Sequence, residues 1–157
     1  MTGHVEFAYL PIDRLREHEE TQADRVEEVL RDIERRGIVD EPILVARGSH
    51  VVLNGHHRFA ALRLLGAKWV PVYLIDYENG SVLLERWTPG PPISKTDVVR
   101  TASEGRLYPP KTTRHRLLFD VLHRPTPLRE LLETARPVDA PGVRVGYGAS
   151  RPEGRDR

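Results

Sequence analysis

Residues 51–66, VVLNGHHRFAALRLLG, change character halfway. Val51, Val52 and Leu53 are an apolar β-type run. From Gly55 on, Phe59, Ala60, Leu62, Leu64 and Leu65 recur at helical spacing until Gly66. A strand-to-helix turn needs a glycine. It does not need His56, His57 and Arg58 crowded beside it. A helix start presents unsatisfied backbone N–H groups and the positive end of the macrodipole. Gly55 lets an anion reach them, and the two histidines and Arg58 add side-chain donors. The joint therefore reads as a phosphate cradle, with an ordinary Asn54-Gly55 turn as the plainer alternative.

Outward from this joint, short strands and helices alternate. VEFAYL (5–10) reads as a strand closed by Pro11. TQADRVEEVLRDIERRG (21–37) reads as an amphipathic helix, with Thr21 and Asp24 as a capping-box-like start and Gly37 as its stop. PILVA (42–46) and HVVLN (50–54) suggest a hairpin across Arg47-Gly48-Ser49. WVPVYLIDY (69–77) is a strand that Pro71 assigns to an edge or a bulge, and SVLLERW (81–87) is a further strand. Ser94 and Asp97 cap a short helix through Ser103. LYPPKTTRHRLLF (107–119) reads as a proline-stiffened basic segment. A short helix fits Leu128 to Ala135, and residues 135–157 read as a flexible tail. The pattern predicts a compact α+β domain over residues 1–119 with a C-terminal extension over 120–157.

Composition narrows the function. The 157 residues carry a formal net charge of +1, so any anion site must be local rather than a general affinity for nucleic acid or membrane. There is no cysteine, which excludes disulfides and thiol chemistry. No apolar run suits a membrane span, and the N-terminal residues do not read as a signal peptide, so the expected location is the cytoplasm. A second basic cluster, Pro109 to His115, strings Lys111, Thr112, Thr113, Arg114 and His115 together after two prolines. Cations interleaved with hydroxyls suit a polyphosphate. Between the first strand and first helix, REHEE (16–20) offers a carboxylate for general-base work or a water-bound metal. Adjacent histidines on a helix point about 100° apart, which disfavours a histidine-bound zinc.

The stretch 51–77 resembles the signature of the ParB/sulfiredoxin-like superfamily, in which a strand, a Gly-x-x-Arg turn and a helix hold nucleotide phosphates. Sulfiredoxins carry a catalytic cysteine after that glycine, where this chain has His56. ParB partition proteins have Gly-Glu-Arg-Arg at the turn and a helix-turn-helix domain, for which nothing after Asp120 offers a match. The free L-serine kinases of the same fold are similar at three places: the Gly-His-His-Arg turn, the Asp76-Tyr77 strand end, and the PKTTRH segment at 110–115.

That resemblance implies a mixed sheet with flanking helices and phosphoryl transfer from ATP or ADP to the hydroxyl of serine or a related amino acid. It assigns Glu19 as base, with His57 and Arg58 beside the transferred group. Asn54, Gly55, His56, His57 and Arg58 would hold phosphates with Lys111, Thr112, Thr113, Arg114 and His115. His18 and Trp87 fall near the substrate. Mg²⁺ would be carried on the phosphates, with no protein ligand set named. The kinases have aspartate where this chain has Asn54, so either Glu19 alone supplies the base or the substrate has shifted. The alternatives are a ParB-like regulator that binds CTP or ATP without turning over an amino acid, and a ParB-like nuclease. The expected partners are small molecules, with nucleic acid disfavoured and a homodimer left open.

Overall fold

The computed structural model describes residues 5–138. Four strands form a mixed sheet: β1 (Val5–Pro11), β5 (Trp69–Ile75), β3 (Ile43–Ala46) and β4 (Val52–Asn54), in that spatial order. β1 runs antiparallel to β5, β5 parallel to β3, and β3 antiparallel to β4 with a register shift between Leu44 and Val45. Their β-branched runs have no solvent-facing side: Ile43, Val45, Val52, Val70, Val72 and Ile75 are all fully buried. Helix α1 (Ala23–Arg36) and helix α2 (His56–Leu64) pack on each other. α1 turns Val26 and Ile33 inward, while exposed Glu27–Arg31 and Asp32–Arg36 pairs line its outer face. α2 is fixed by Phe59, Ala61 and Leu62, each wholly buried.

Two small ribbons complete the body. β6 (Val82–Arg86) pairs antiparallel with β7 (Thr113–Leu117), and β2 (Ile38–Val39) with β8 (Thr126–Pro127). α3 (Lys95–Ser103) begins with a full Ser94/Asp97 capping box, as the spacing predicts. α4 (Leu128–Leu132) brings Leu131 wholly into the same core and accepts Lys68 N–H at its backbone oxygen. Tyr73 also donates to the Leu122 carbonyl at 2.6 Å, so residues 120–132 are bonded to the sheet. The expected flexible tail falls, from residue 139 on, outside the described residues.

Three local expectations are corrected. Pro71 lies in an interior strand, but β3 pairs only with Val72 to Ile75, so Pro71 has β1 alone beside it and no missing ladder bond on the β3 side. The Thr21/Asp24 capping box does not form: α1 starts from Gln22, whose side chain makes no cap, and Asp24 Oδ1 accepts from Arg25 N–H. The basic segment is not all loop, because Thr113 to Leu117 alternate buried and half-buried as a strand on β6.

Candidate active site

Residues 16–20 explain why the site exists. They run extended across the top of the sheet rather than looping away from it. Arg16 bridges Val51, giving its amide to His50 and accepting from Val52 N–H. Two residues on, His18 accepts from Tyr108 N–H, and Glu20 N–H donates to the Tyr108 carbonyl. An extended chain alternates its side chains. His18 thus points into the core, where it is fully buried, and Glu19 faces outward into a cleft.

That cleft is half-open and has two walls. One wall is the β4–α2 joint: Asn54, Gly55, His56 and His57. The other is Trp87 with Pro110, Lys111, Thr113, Arg114 and His115. Glu20 of the REHEE stretch lines it as well, and so do Arg25 and Leu53, which sequence reasoning missed. Their signals, a helix-face arginine and a core leucine, are indistinguishable from those of ordinary neighbours.

The joint is built as its sequence predicts. Gly55 has φ +99°, so the backbone demands glycine, and the space is tight as well, since a Cβ there would lie 3.2 Å from Ile43 Cγ1. The first intrahelical bond runs from Phe59 N–H to the Gly55 carbonyl, so the helix start lies at the cleft wall. Both histidines also hold the opposite segment. His56 Nε2 accepts from His18 N–H at 3.4 Å, and His57 Nε2 from Gln22 N–H at 3.1 Å. An accepting Nε2 puts the ring proton on Nδ1 in each.

Arg58 is not on this wall. Its Nη1 donates to the carbonyls of Glu41 (2.8 Å) and Pro42 (3.1 Å), and its side chain is buried on the other side of α2, where it lines a separate groove. It fixes the helix against the chain entering β3. Thr112 also faces away, donating from Oγ1 to the Pro109 carbonyl at 2.7 Å, while its own carbonyl accepts from Trp87 N–H. Of the residues that sequence placed around the phosphates, these two are the ones the fold diverts.

Glu19 is held from the second wall. Its Oε2 accepts from Lys111 N–H at 2.9 Å, and its Oε1 from Thr113 N–H at 2.9 Å and Thr113 Oγ1 at 2.7 Å. Lys111 takes φ +59° to bring both amides onto one carboxylate. Burial pushes the Glu19 pKa up from its ordinary value, against the opposing pull of the Thr113 and Lys111 donors. Beneath it, His18 Nε2 lies 2.9 Å from Thr113 Oγ1, and the His18 ring meets those of His56 and His115 edge-on at 4.5 and 5.5 Å.

Desolvation keeps these rings neutral: His18 falls to about 4, with the Val52 backbone only partly offsetting it. His115 falls to about 3, through burial and then the neighbouring His18, and His56 is also lowered, chiefly by burial. His115 Nε2 is 2.6 Å from the Tyr77 hydroxyl, a partner that the Asp76-Tyr77 strand end signalled without a role. At the mouth, Lys111 Nζ and Arg114 Cζ lie 5.4 and 4.8 Å from the Trp87 ring centroid.

Such a cleft can neutralise a phosphate chain with Arg25, Lys111, Arg114 and helix-start amides while presenting a fixed carboxylate to a hydroxyl. Among the described residues no group of three or more carboxylates and histidines is placed to hold a metal ion.

Known proteins similar to this chain are named as serine kinases. No protein-family model matches the chain. It is 39% identical over 90 residues to an ATP-dependent L-serine kinase of Staphylothermus marinus, a match covering 55% of this chain and 36% of that protein. It is 29% identical over 92 residues to the ADP-dependent L-serine kinase SerK of Thermococcus kodakarensis, covering 56% of this chain and 38% of the relative. The match thus spans little more than a third of these curated relatives. Among solved structures, a free serine kinase in complex with AMP superposes with a TM-score of 0.74 at 19% identity, covering 83% of this chain and 95% of that one. A C-terminally truncated SbnI from Staphylococcus aureus gives 0.73 at 16%, covering 82% and 90%. The chain has the α+β fold of the solved free serine kinases.

Proposed function

We propose that this chain transfers a phosphoryl group from ATP or ADP to the hydroxyl of free L-serine or a closely related amino acid. The observation that carries this reading is Glu19, an outward carboxylate fixed by the amides of Lys111 and Thr113 in the same cleft as the α2 start. The names of the sequence relatives and the nucleotide complexes of the structural ones support it.

Phosphoryl transfer of this kind is mostly positioning and charge stabilisation. The serine oxygen attacks the terminal phosphorus, the bond to the departing nucleotide breaks, and Glu19 takes the hydroxyl proton. The amides before Phe59, with His56 and His57 as Nδ1–H donors, face the phosphates from one wall. Lys111 and Arg114 face them from the other, and the Trp87 ring holds both cations in place. Asn54 contributes an amide and no base, so Glu19 works alone. Arg58 acts through the frame, holding α2 rather than touching phosphate. His115 and His18 support the second wall from beneath. Mg²⁺ accompanying the nucleotide would be coordinated by phosphate oxygens and water, with Glu20 and Asn54 as the remaining side-chain oxygens of the cleft; bound there, it supplies charge neutralisation.

The experiment is direct. The chain is incubated with serine, Mg²⁺ and ATP or ADP, and O-phosphoserine is sought by mass spectrometry. Product is expected with one donor preferred, and Glu19→Gln should lower the rate by about 10²- to 10⁴-fold without loss of fold. Nucleotide binding with no product from any hydroxy amino acid would instead make the chain a nucleotide-binding regulator.

A further inference from the structure

The carboxylate of Glu19 is not symmetrical. An ionised carboxylate oxygen has two lone pairs in its plane. Oε1 takes the amide and the hydroxyl of Thr113 at 2.9 and 2.7 Å, whereas Oε2 takes the Lys111 amide at 2.9 Å, and the Thr112 amide bears on the carboxylate as the weakest of its donors. The Thr113 hydroxyl donates to the carboxylate, and beneath it the ring nitrogen Nε2 of the fully buried His18 lies 2.9 Å from the same hydroxyl.

We infer that Thr113 is a positioning residue for the base: its hydroxyl and amide fill Oε1 of Glu19 and leave Oε2 as the atom that receives the proton of the substrate hydroxyl. The proposal rests on the kinase reading above and adds the receiving atom and the residue that selects it. It also removes Thr113 from the phosphate ligands, because its one hydroxyl proton is committed. In the step itself the serine O–P bond forms as the bond to the departing ADP or AMP breaks, and the proton moves from the serine oxygen to Oε2. Substitution at Thr113 leaves Glu20, Arg25, Lys111 and Arg114 in the cleft and removes the hydroxyl from beside His18 Nε2, which Thr113→Ser restores.

The test compares the full chain with Thr113→Val, which keeps the strand-favouring shape and the amide, and with Thr113→Ser, which restores the hydroxyl. The Glu19 pKa is read by NMR on ¹³C-carboxyl-labelled protein, and the pH profile of kcat and the nucleotide KM by product formation. Losing one hydrogen bond to a charged acceptor should raise the Glu19 pKa by about one to two units. The acidic limb of kcat should move with it, a loss of about tenfold to a hundredfold below the pKa, with nucleotide KM within about twofold; Thr113→Ser should recover both. If Thr113→Val fails to fold, Thr113→Ala must give the same shift. An unmoved Glu19 pKa, or a nucleotide KM raised tenfold with an unmoved pH limb, overturns the proposal. Absence of product from the unsubstituted chain would defeat the kinase reading instead, and the NMR titration would still decide the clamp.

Discussion

The two walls of the cleft are made of different material. The β4–α2 wall is an extension of the core: behind Gly55 stand Val52, Phe59 and Leu62, all fully buried, and Ile43 within 3.2 Å of where a Cβ would be. The wall opposite is polar. Glu19 hangs on two amides and a hydroxyl, His18 and His115 lie neutral beneath it, and Trp87 is flanked by two cations. Apolar packing is close to all-or-none, whereas each polar contact can be changed alone. Damage to the first wall should therefore appear as lost stability, and damage to the second as altered activity or pH response.

The sharpest way to break this contrast is Phe59→Ala. It should cost about 3–5 kcal/mol of unfolding free energy, read as a lowered denaturant midpoint. A loss below about 1 kcal/mol would mean the first wall is not core. Acidification addresses the second wall. His18 and His115 are depressed to about 4 and about 3, below the unfolded value of 6.5, so the unfolded chain binds protons that the fold refuses. Their stabilising effect is complete above pH 6.5 and is lost as pH falls toward 4 and then 3, by up to about 1.4 kcal/mol per pH unit for each ring. Glu19, shifted upward, acts in the opposite sense by favouring the fold when protonated. Denaturant midpoints flat between pH 7 and pH 5 would show that the rings are charged in the native state.

Arg58→Ala tests the border between the walls. Removing the guanidinium leaves the Glu41 and Pro42 carbonyls without that donor, and about 1–3 kcal/mol of stability should go while nucleotide KM stays near its starting value. A large KM effect with unchanged stability would return Arg58 to the phosphates. The smallest effect belongs to Trp87→Ala. The ring is 40% exposed, so stability should change by less than about 1 kcal/mol. With Lys111 and Arg114 released from its face, nucleotide KM should rise several-fold.

The first wall was legible in the sequence because a single stretch encodes it: the period switches from 2 to 3.6 at Gly55, and the glycine is needed for the reason its position suggests. Helix α1 and the capped α3 were legible for the same local reasons. The second wall was legible only as composition. PKTTRH announced a basic, hydroxyl-rich segment, but which of its residues face the cleft depends on pairing with β6, a contact between residues about 30 apart. That pairing turns Thr113 and His115 inward and sends the Thr112 hydroxyl to Pro109. Arg58 misled for a related reason: a guanidinium beside a helix start looks the same in sequence whether it meets phosphate or a carbonyl pair across the helix. Glu19 was found through resemblance, since REHEE alone reads as surface charge until the chain around Tyr108 makes it an extended strip.

Lys111 carries two duties that chemistry can pull apart. Its backbone sits in a left-handed conformation that lysine adopts at a cost of about 1–2 kcal/mol and glycine adopts freely. Its ammonium lies over an indole on the far side of the same residue. Glycine at this position would ease the conformation and keep the amide on the carboxylate while deleting the charge; alanine would delete the charge and keep the strain. The pair forms an internal control, in which whatever glycine preserves belongs to the main chain and whatever both lose belongs to the cation.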